Sequence, residues 1–188
     1  MPSGTRGAGT SSACRESSRH DGNGHSFAHR GHGRQAYRAI GTAGWSIPRT
    51  SADAFPATGT HLQRYAAELP AVEINSSFYR PHRRATYERW AASTPEHFRF
   101  SVKIPKEISH VRRLVDARAP LDMFAGQVEG LGGKLGVVLL QLPPSLGFDR
   151  RSAPAFLAAL RKRFGGDGGN AGEPRHATWS VDDAEACL

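Results

Sequence analysis

From Tyr37 onward, apolar residues recur in two alternating rhythms, one of period two and one near 3.6. Ala39 to Trp45 reads as a first strand leaving into a loop. Thr60, with Gln63 three residues on, has the form of a capping box, and Leu62, Tyr65 and Leu69 then share one helical face up to Pro70. Ala71 to Phe78 reads as a second strand, followed by a helix around Thr86 to Ser93 that buries Tyr87 and Trp90. Phe98, Phe100, Val102 and Ile104 alternate onto one face of a third strand, Phe98 to Pro105. Leu121, Phe124, Val128 and Leu131 repeat at helical spacing, with Pro120 early in that helix, where a missing N–H costs little. Leu135 to Leu142 is apolar on both faces, as a parallel strand covered by helices must be. Ser152 is expected to cap a further helix carrying Phe156, Leu157, Leu160 and Phe164, which Gly165 closes. A fifth strand is due next, yet Gly165 to Gly172 is nearly all Gly, Asp and Asn, which predicts a weak one. Glu173 to Trp179 follows, then a helix cap at Ser180.

Strands and helices that alternate through short connections predict right-handed βαβ units and a parallel sheet. Doubly wound and barrel folds share this pattern, and the period alone does not separate them. A length of 188 residues allows one core but is short for a complete (β/α)8 barrel, which takes about 250 residues. The folded unit is expected over residues 37–188. Residues 1–36 hold Gly, Ser, Arg and His with almost nothing apolar, so they are expected to form a disordered tail. Its His20, His25, His29 and His32 have no fixed geometry for a metal, and its Arg- and Ser-rich composition overlaps only in part with that of transit peptides.

Charge and cysteine content narrow the classes further. Formal net charge is +8 and the pI is about 10.2, which invites a nucleic-acid reading. The distribution weakens it, because five arginines against two acids in residues 1–36 leave a net of +3 there, and the remaining +5 forms no dense stripe. Weak nonspecific attraction to polyanions is the expectation. No apolar run approaches the roughly 20 residues of a membrane-spanning helix, no secretory leader is evident, and Cys14 and Cys187 lie near opposite ends. A cytoplasmic protein without membrane contact is expected.

Candidate chemistry lies where polar residues interrupt the strands. In the second strand Val72, Ile74 and Ser76 should share one face, and Glu73, Asn75 and Ser77 the other. An ionisable Glu73 inside a buried strand is costly unless it is paired or functional. Lys103 and Gln141 interrupt the third and fourth strands near their C-terminal ends, where parallel α/β folds place their sites. Glu73, Asn75, Lys103 and Gln141 should therefore converge on one rim if the sheet curls, with Tyr79, Arg80 and His110 in the loops that follow.

Five stretches carry a family resemblance. They are Ile40-Gly41-Thr42-Ala43-Gly44-Trp45-Ser46, Val72-Glu73-Ile74-Asn75-Ser76-Ser77-Phe78-Tyr79-Arg80, and Phe100 to His110 with its Lys103-Ile104-Pro105-Lys106-Glu107 centre; then Leu140-Gln141-Leu142-Pro143-Pro144-Ser145 and Glu173-Pro174-Arg175-His176-Ala177-Thr178-Trp179. In this order the chain resembles the YecE-like family, domain of unknown function seventy-two, over residues 39 to 188. The resemblance implies an α/β fold of the (β/α)8 barrel type, here incomplete at about the first five strands and truncated before about three further units. It also implies that open strand edges would favour self-association and poor stability. Barrels of similar architecture include sugar isomerases and an apurinic endonuclease, so sugar chemistry enters as an analogy.

The enzyme reading is acid–base chemistry on a small polar ligand, sugar-like or phosphorylated. Glu73 would be the base, Lys103 the stabiliser of developing negative charge and His110 the proton shuttle, with its ordinary pKa near 6.5. Trp45, Asn75, Tyr79, Arg80, Gln141, Glu173, Arg175 and His176 are the candidate ligand-binding residues. Each has a bland alternative: an ion pair for Glu73 and Lys103, backbone satisfaction for Asn75 and Gln141, a loop cap for His110, packing for Trp45 and Tyr79. Glu73, His110, Glu173 and His176 are of the right types for a divalent metal, but their spacing is not diagnostic, and metal is the minority reading. The competing classes are a nucleic-acid-binding or apurinic-endonuclease-like protein, and a non-functional fragment.

Overall fold

In a parallel sheet each strand must be reached by a crossover, and the crossovers decide which face is covered. The computed structural model describes residues 39–165, 169–180 and 184; the tail expected over residues 1–36 and the helix expected after Ser180 lie outside these, Ala184 apart. Five strands, Gly41–Ala43 (β1), Ala71–Ile74 (β2), Arg99–Lys103 (β3), Leu135–Gln141 (β4) and Gly169–Glu173 (β5), form one parallel sheet in the order β1-β2-β3-β4-β5. Helices His61–Glu68 (α1), Ser76–Tyr79 (α2), Arg84–Ala92 (α3), Arg118–Val128 (α4) and Ala153–Phe164 (α5) lie between them. Every crossover steps in the same direction. With one handedness, that puts the long helices on one face, as in a barrel, whereas a doubly wound sheet needs a reversal of strand order. The barrel is not closed: among the described residues β1 and β5 each have one unpaired edge. No described helix is long and apolar enough to cross a membrane.

The covered face is the core. Val72, Ile74, Phe100, Val102, Ile104, Val138, Leu140 and Leu142 are all buried, against Leu62, Tyr87, Phe124, Val128, Phe156, Leu157 and Leu160 from the helices. The alternate positions, Glu73, Ser101, Lys103, Val137, Leu139, Gln141, Ala171 and Glu173, occupy the other face and stay half-buried.

Local departures from the sequence pattern have identifiable causes. The second strand ends at Ile74, not Phe78, because Asn75 turns helical (φ −82°, ψ −21°) and Ser76–Tyr79 coil. Buried Ser77 fixes that turn: its hydroxyl lies 2.8 Å from the Ile74 carbonyl and 2.7 Å from the Lys103 carbonyl, tying the end of β2 to β3. Ser77 therefore does not share the Glu73 face, and Asn75 is not on a strand. Ser152 makes no side-chain cap for α5. Asp149 instead closes the turn that leads into α5, accepting from the Ser152 hydroxyl (2.7 Å) and from the Arg151 and Ser152 amides (3.1 and 3.3 Å), and these bonds hold its carboxyl below the usual range. β5 forms despite its glycines, since parallel pairing from Val137↔Gly169 to Gln141↔Glu173 needs backbone groups rather than side chains. A register shift on β4 leaves Gly136 without a partner between Phe100↔Leu135 and Ser101↔Val137.

Two polar staples hold the layers together. The Tyr65 hydroxyl on α1 accepts from the Thr42 amide (2.8 Å) and donates to the Ala71 carbonyl (3.0 Å), so it sits between β1 and β2. Gly41 is equally constrained, because a Cβ there would lie 2.0 Å from the Ala71 oxygen. The Lys134 ammonium donates to the Ala91 and Thr94 carbonyls at 2.7 and 2.6 Å, closing the C-terminal end of α3 where the helix dipole favours a cation. Each staple satisfies groups that would otherwise be stranded. Tyr65→Phe and Lys134→Met are each expected to lower the unfolding free energy by about 1–3 kcal/mol. Urea titrations followed by far-ultraviolet dichroism check this, and an unchanged midpoint for Tyr65→Phe would show that water replaces the hydroxyl.

Candidate functional site

Lys103, Gln141 and Glu173 are the last residues of β3, β4 and β5, and all three project from the half-buried face. Register explains their meeting. Gln141 pairs with Glu173, while Lys103 pairs with Leu139, one layer lower on the neighbouring strand. The Gln141 amide donates to Glu173 Oε2 at 2.8 Å, and Arg175 donates through Nε and Nη2 to Glu173 Oε1 at 3.2 and 2.8 Å. Both carboxylate oxygens are thus held in a fixed orientation. The guanidinium first, then the amide, and more weakly Lys103 draw the Glu173 carboxyl below its usual range, against a small opposing effect of burial. Since the Arg175 and Glu173 side chains are 50% and 42% exposed, this pair serves orientation more than stability.

Phe78, on α2, is the hub of the neighbouring group. The Lys103 ammonium lies 5.0 Å from its ring centroid, a cation–π distance, and the His110 ring meets it edge-on at 4.9 Å. His110 rides on a π-helical turn, Glu107–Val111, and its Nδ1 shares a 2.9 Å hydrogen bond with the hydroxyl of buried Ser109. Burial, then the positive charges of Lys103 and Arg175, push the His110 pKa below its ordinary value. Its imidazole is therefore neutral at neutral pH.

The backbone beyond His110 is strained. Arg113, Leu114 and Asp116 have φ of +52°, +69° and +47°, a region that side-chain-bearing residues adopt at a cost. Leu114 is buried, its amide bonds the Ile108 carbonyl at 3.1 Å, and Arg113 donates to the Ser145 hydroxyl and carbonyl at 3.2 and 2.8 Å. The loop after β3 is thereby locked to the loop after β4.

The remaining candidates divide. Glu73 is on the same face as Lys103 but a layer deeper, paired in register with Ala43 and Ser101; its carbonyl accepts from the Gly44 amide at 2.9 Å, and its carboxylate makes no hydrogen bond or ion pair among the described residues. The Asn75 Oδ1 is buried without a partner. Tyr79 is exposed and touches Phe78 edge-on at 5.0 Å, and Arg80 is exposed beside His82, whose pKa burial and then Arg80 depress. Trp45 packs edge-on against Trp90 at 5.0 Å, within an aromatic group that includes His82 and Tyr87. His176 turns away from Arg175: its Nδ1 accepts from the Thr178 amide at 3.2 Å and meets the Thr178 hydroxyl at 2.9 Å. That bond shapes the turn that seats buried Trp179 on the Leu146 carbonyl, 2.8 Å from its indole nitrogen. Among the described residues no three His, Cys, Asp or Glu gather to hold a metal, so Glu73, His110, Glu173 and His176 make no such centre. A shallow cleft of about 280 Å³ lies elsewhere, between β5 and α5, lined mainly by Leu140, Leu157, Leu160 and Asn170. Arg161 also lines it, and its leucines belong to the helix-covered face of the sheet, opposite the face that carries these charges. The sequence pattern missed Phe78, Ser109 and Arg113; Asn75-Ser76, two turn formers in a row, was the available sign that Phe78 leaves the strand.

Comparison with known proteins bears on the whole arrangement. The chain is 32% identical over 111 residues to the UPF0759 protein YunF of Bacillus subtilis, covering 56% of this chain and 39% of that protein. It is 31% identical over 128 residues to the UPF0759 protein YecE of Escherichia coli, covering 66% and 45%. The chain therefore spans less than half the length of these curated relatives. Among solved structures, a DUF72 family protein of Thermotoga maritima superposes with a TM-score of 0.62 at 26% identity, covering 80% of this chain and 60% of that one. A DUF72 family protein of Enterococcus faecalis gives 0.61 at 24% identity, with 78% and 54% covered, and supports the fold. The profile of the family described as "Protein of unknown function DUF72" matches residues 39–188, which includes every strand and the whole Lys103–His110–Glu173 rim, and the chain belongs to that family.

Proposed function

We propose that the rim at the ends of β3, β4 and β5 binds a small polar, sugar-like ligand and acts on it by proton transfer. One observation carries this reading: Lys103 and His110 meet on the Phe78 ring, and the hydrogen-bonded group of Gln141, Glu173 and Arg175 adjoins them, close enough for Arg175 to act on His110 and Lys103 on Glu173. Such a ligand needs donors, acceptors and an apolar surface for its C–H face. The ammonium, amide and guanidinium supply donors, Glu173 supplies acceptors, and Phe78 supplies the surface. Two cations, Lys103 and Arg175, face two carboxylates, Glu73 and Glu173, so charge offsets charge. Arg175 also already spends two N–H groups on Glu173. An uncharged hydroxylated ligand therefore suits the rim better than a phosphate.

The chemistry follows from protonation states. Glu73, deeper on the same face and with a carboxylate that has no hydrogen-bond or ion-pair partner among the described residues, is the base. Lys103 stabilises negative charge developing on the ligand, and His110, neutral and able to accept, passes the proton on. Gln141, Glu173 and Arg175 orient the hydroxyls.

Binding is tested with xylose, xylitol and xylose 5-phosphate by amide chemical-shift mapping. The neutral ligands should shift resonances of the β3, β4 and β5 ends, and Glu173→Gln should weaken that binding about tenfold, the loss of one charge-assisted hydrogen bond. Shifts confined to other surfaces would sink the proposal. A second expectation concerns His110, whose imidazole should titrate below about 6.5. Removing a neighbouring cation in Lys103→Met favours the imidazolium, so the midpoint should rise; proton titration by nuclear magnetic resonance reads it. Because the folded-state pKa is the lower one, His110 withdraws stability as pH falls from its unfolded value through its folded value.

A further inference from the structure

We infer that Lys103 is a nucleophile toward carbonyl compounds, its amine forming a protonated imine with the aldehyde or ketone carbon of an open-chain, sugar-like ligand. The inference rests on the rim being a ligand site, and it narrows that ligand to a carbonyl compound.

Four observations carry it. Lys103 ends β3 on the half-buried face, so its side chain reaches the rim without crossing the core. Among the described residues its ammonium has no hydrogen bond and no ion pair, and it lies 5.0 Å from the centroid of the Phe78 ring. Nothing anchors the nitrogen against swinging onto a ligand carbon. Glu173, the rim carboxylate that Lys103 influences, is already occupied on both oxygens by Gln141 and Arg175.

The choice of lysine is itself informative. The chain holds 25 basic residues, of which four are lysines: Lys103, Lys106, Lys134 and Lys162. Where a cation merely pairs with a carboxylate, arginine is used, as at Arg84, Arg112, Arg163 and Arg175. Lys134 is held by carbonyls at the end of α3, and Lys106 and Lys162 are exposed. A guanidinium cannot form an imine, and a primary amine can. Lys103 is thus a lysine at a place where charge alone would admit arginine.

The step balances without an external reagent. The ammonium passes one proton to a base of the rim, His110 or Glu73, and the freed nitrogen lone pair forms the C–N bond. The carbonyl π pair moves to oxygen, which becomes a hydroxyl by taking a proton from nitrogen. The base then returns its proton to that hydroxyl, which departs as water while the remaining lone pair completes C=N. Ammonium plus carbonyl gives iminium plus water, with charge conserved. His110 is suited to the transfer, since its neutral form predominates at neutral pH.

The test is reductive trapping. The full chain is incubated with glyceraldehyde and sodium cyanoborohydride, and lysine adducts are located by peptide mass mapping. Lys103 should be labelled at least about tenfold faster than Lys106 or Lys162, the advantage expected of a positioned nucleophile. Saturating xylitol should suppress that labelling, and Lys106→Arg should leave it intact. Equal labelling of Lys103, Lys106 and Lys162, with xylitol still shifting the rim amides, overturns the imine and leaves the rim reading standing. Equal labelling with no xylitol shifts overturns both.

Discussion

The constraint on which the structure depends is the single sense of its crossovers. Because each strand lies beside the next in sequence and each crossover has the same hand, the helices are confined to one face. That face takes the apolar residues of β2, β3 and β4 and becomes the core. The opposite face is then free to carry ionisable groups at tolerable desolvation cost, since Glu73, Lys103, Gln141 and Glu173 remain half-buried rather than sealed. The same residues on a sheet covered from both sides would each require a buried partner.

The rim shows how such a face acquires definite geometry. Individually its interactions are weak: a half-exposed ion pair, one amide–carboxylate bond, a cation near a ring. Their joint effect is directional. Ser77 ties β2 to β3, Arg113 ties the loop after β3 to the loop after β4, and Gln141 ties β4 to β5. Each link joins neighbouring strand ends, so the end of the sheet behaves as one laced edge. The left-handed backbone at Arg113, Leu114 and Asp116 is sustained by that lacing and by the burial of Leu114.

Much of this was legible in the sequence, for reasons that differ by residue. The alternation of Phe98, Phe100, Val102 and Ile104 revealed β3 because one face is buried and the other is not. Thr60 and Gln63 announced α1, and both bonds of the box are present, at 2.9 and 3.3 Å. Lys103 and Gln141 stood out because a polar residue in an apolar run is costly without a reason. Strand order was illegible, since periodicity reports faces and not neighbours; the family resemblance supplied the barrel. The Gly136 irregularity was hidden because β4 is apolar on both faces and so carries no phase. Asn75 to Tyr79 misled because Phe78 and Tyr79 favour strands, while the turn is dictated by a long-range bond from Ser77. Ser152 misled as a cap because serine caps helices well, whereas its hydroxyl is spent on Asp149 in the turn before α5.

The Tyr65 hydroxyl gives the molecule an internal seam. β1 is three residues long, and part of its attachment to β2 passes through a side chain that belongs to α1. A strand held in that way cannot peel off alone while α1 stays docked, nor can α1 swing out without releasing the strand's inner edge. Helix and strand form one cooperative subunit of opening, whose amides should exchange with solvent together and at a free energy below that of β3 and β4, which are paired on both sides.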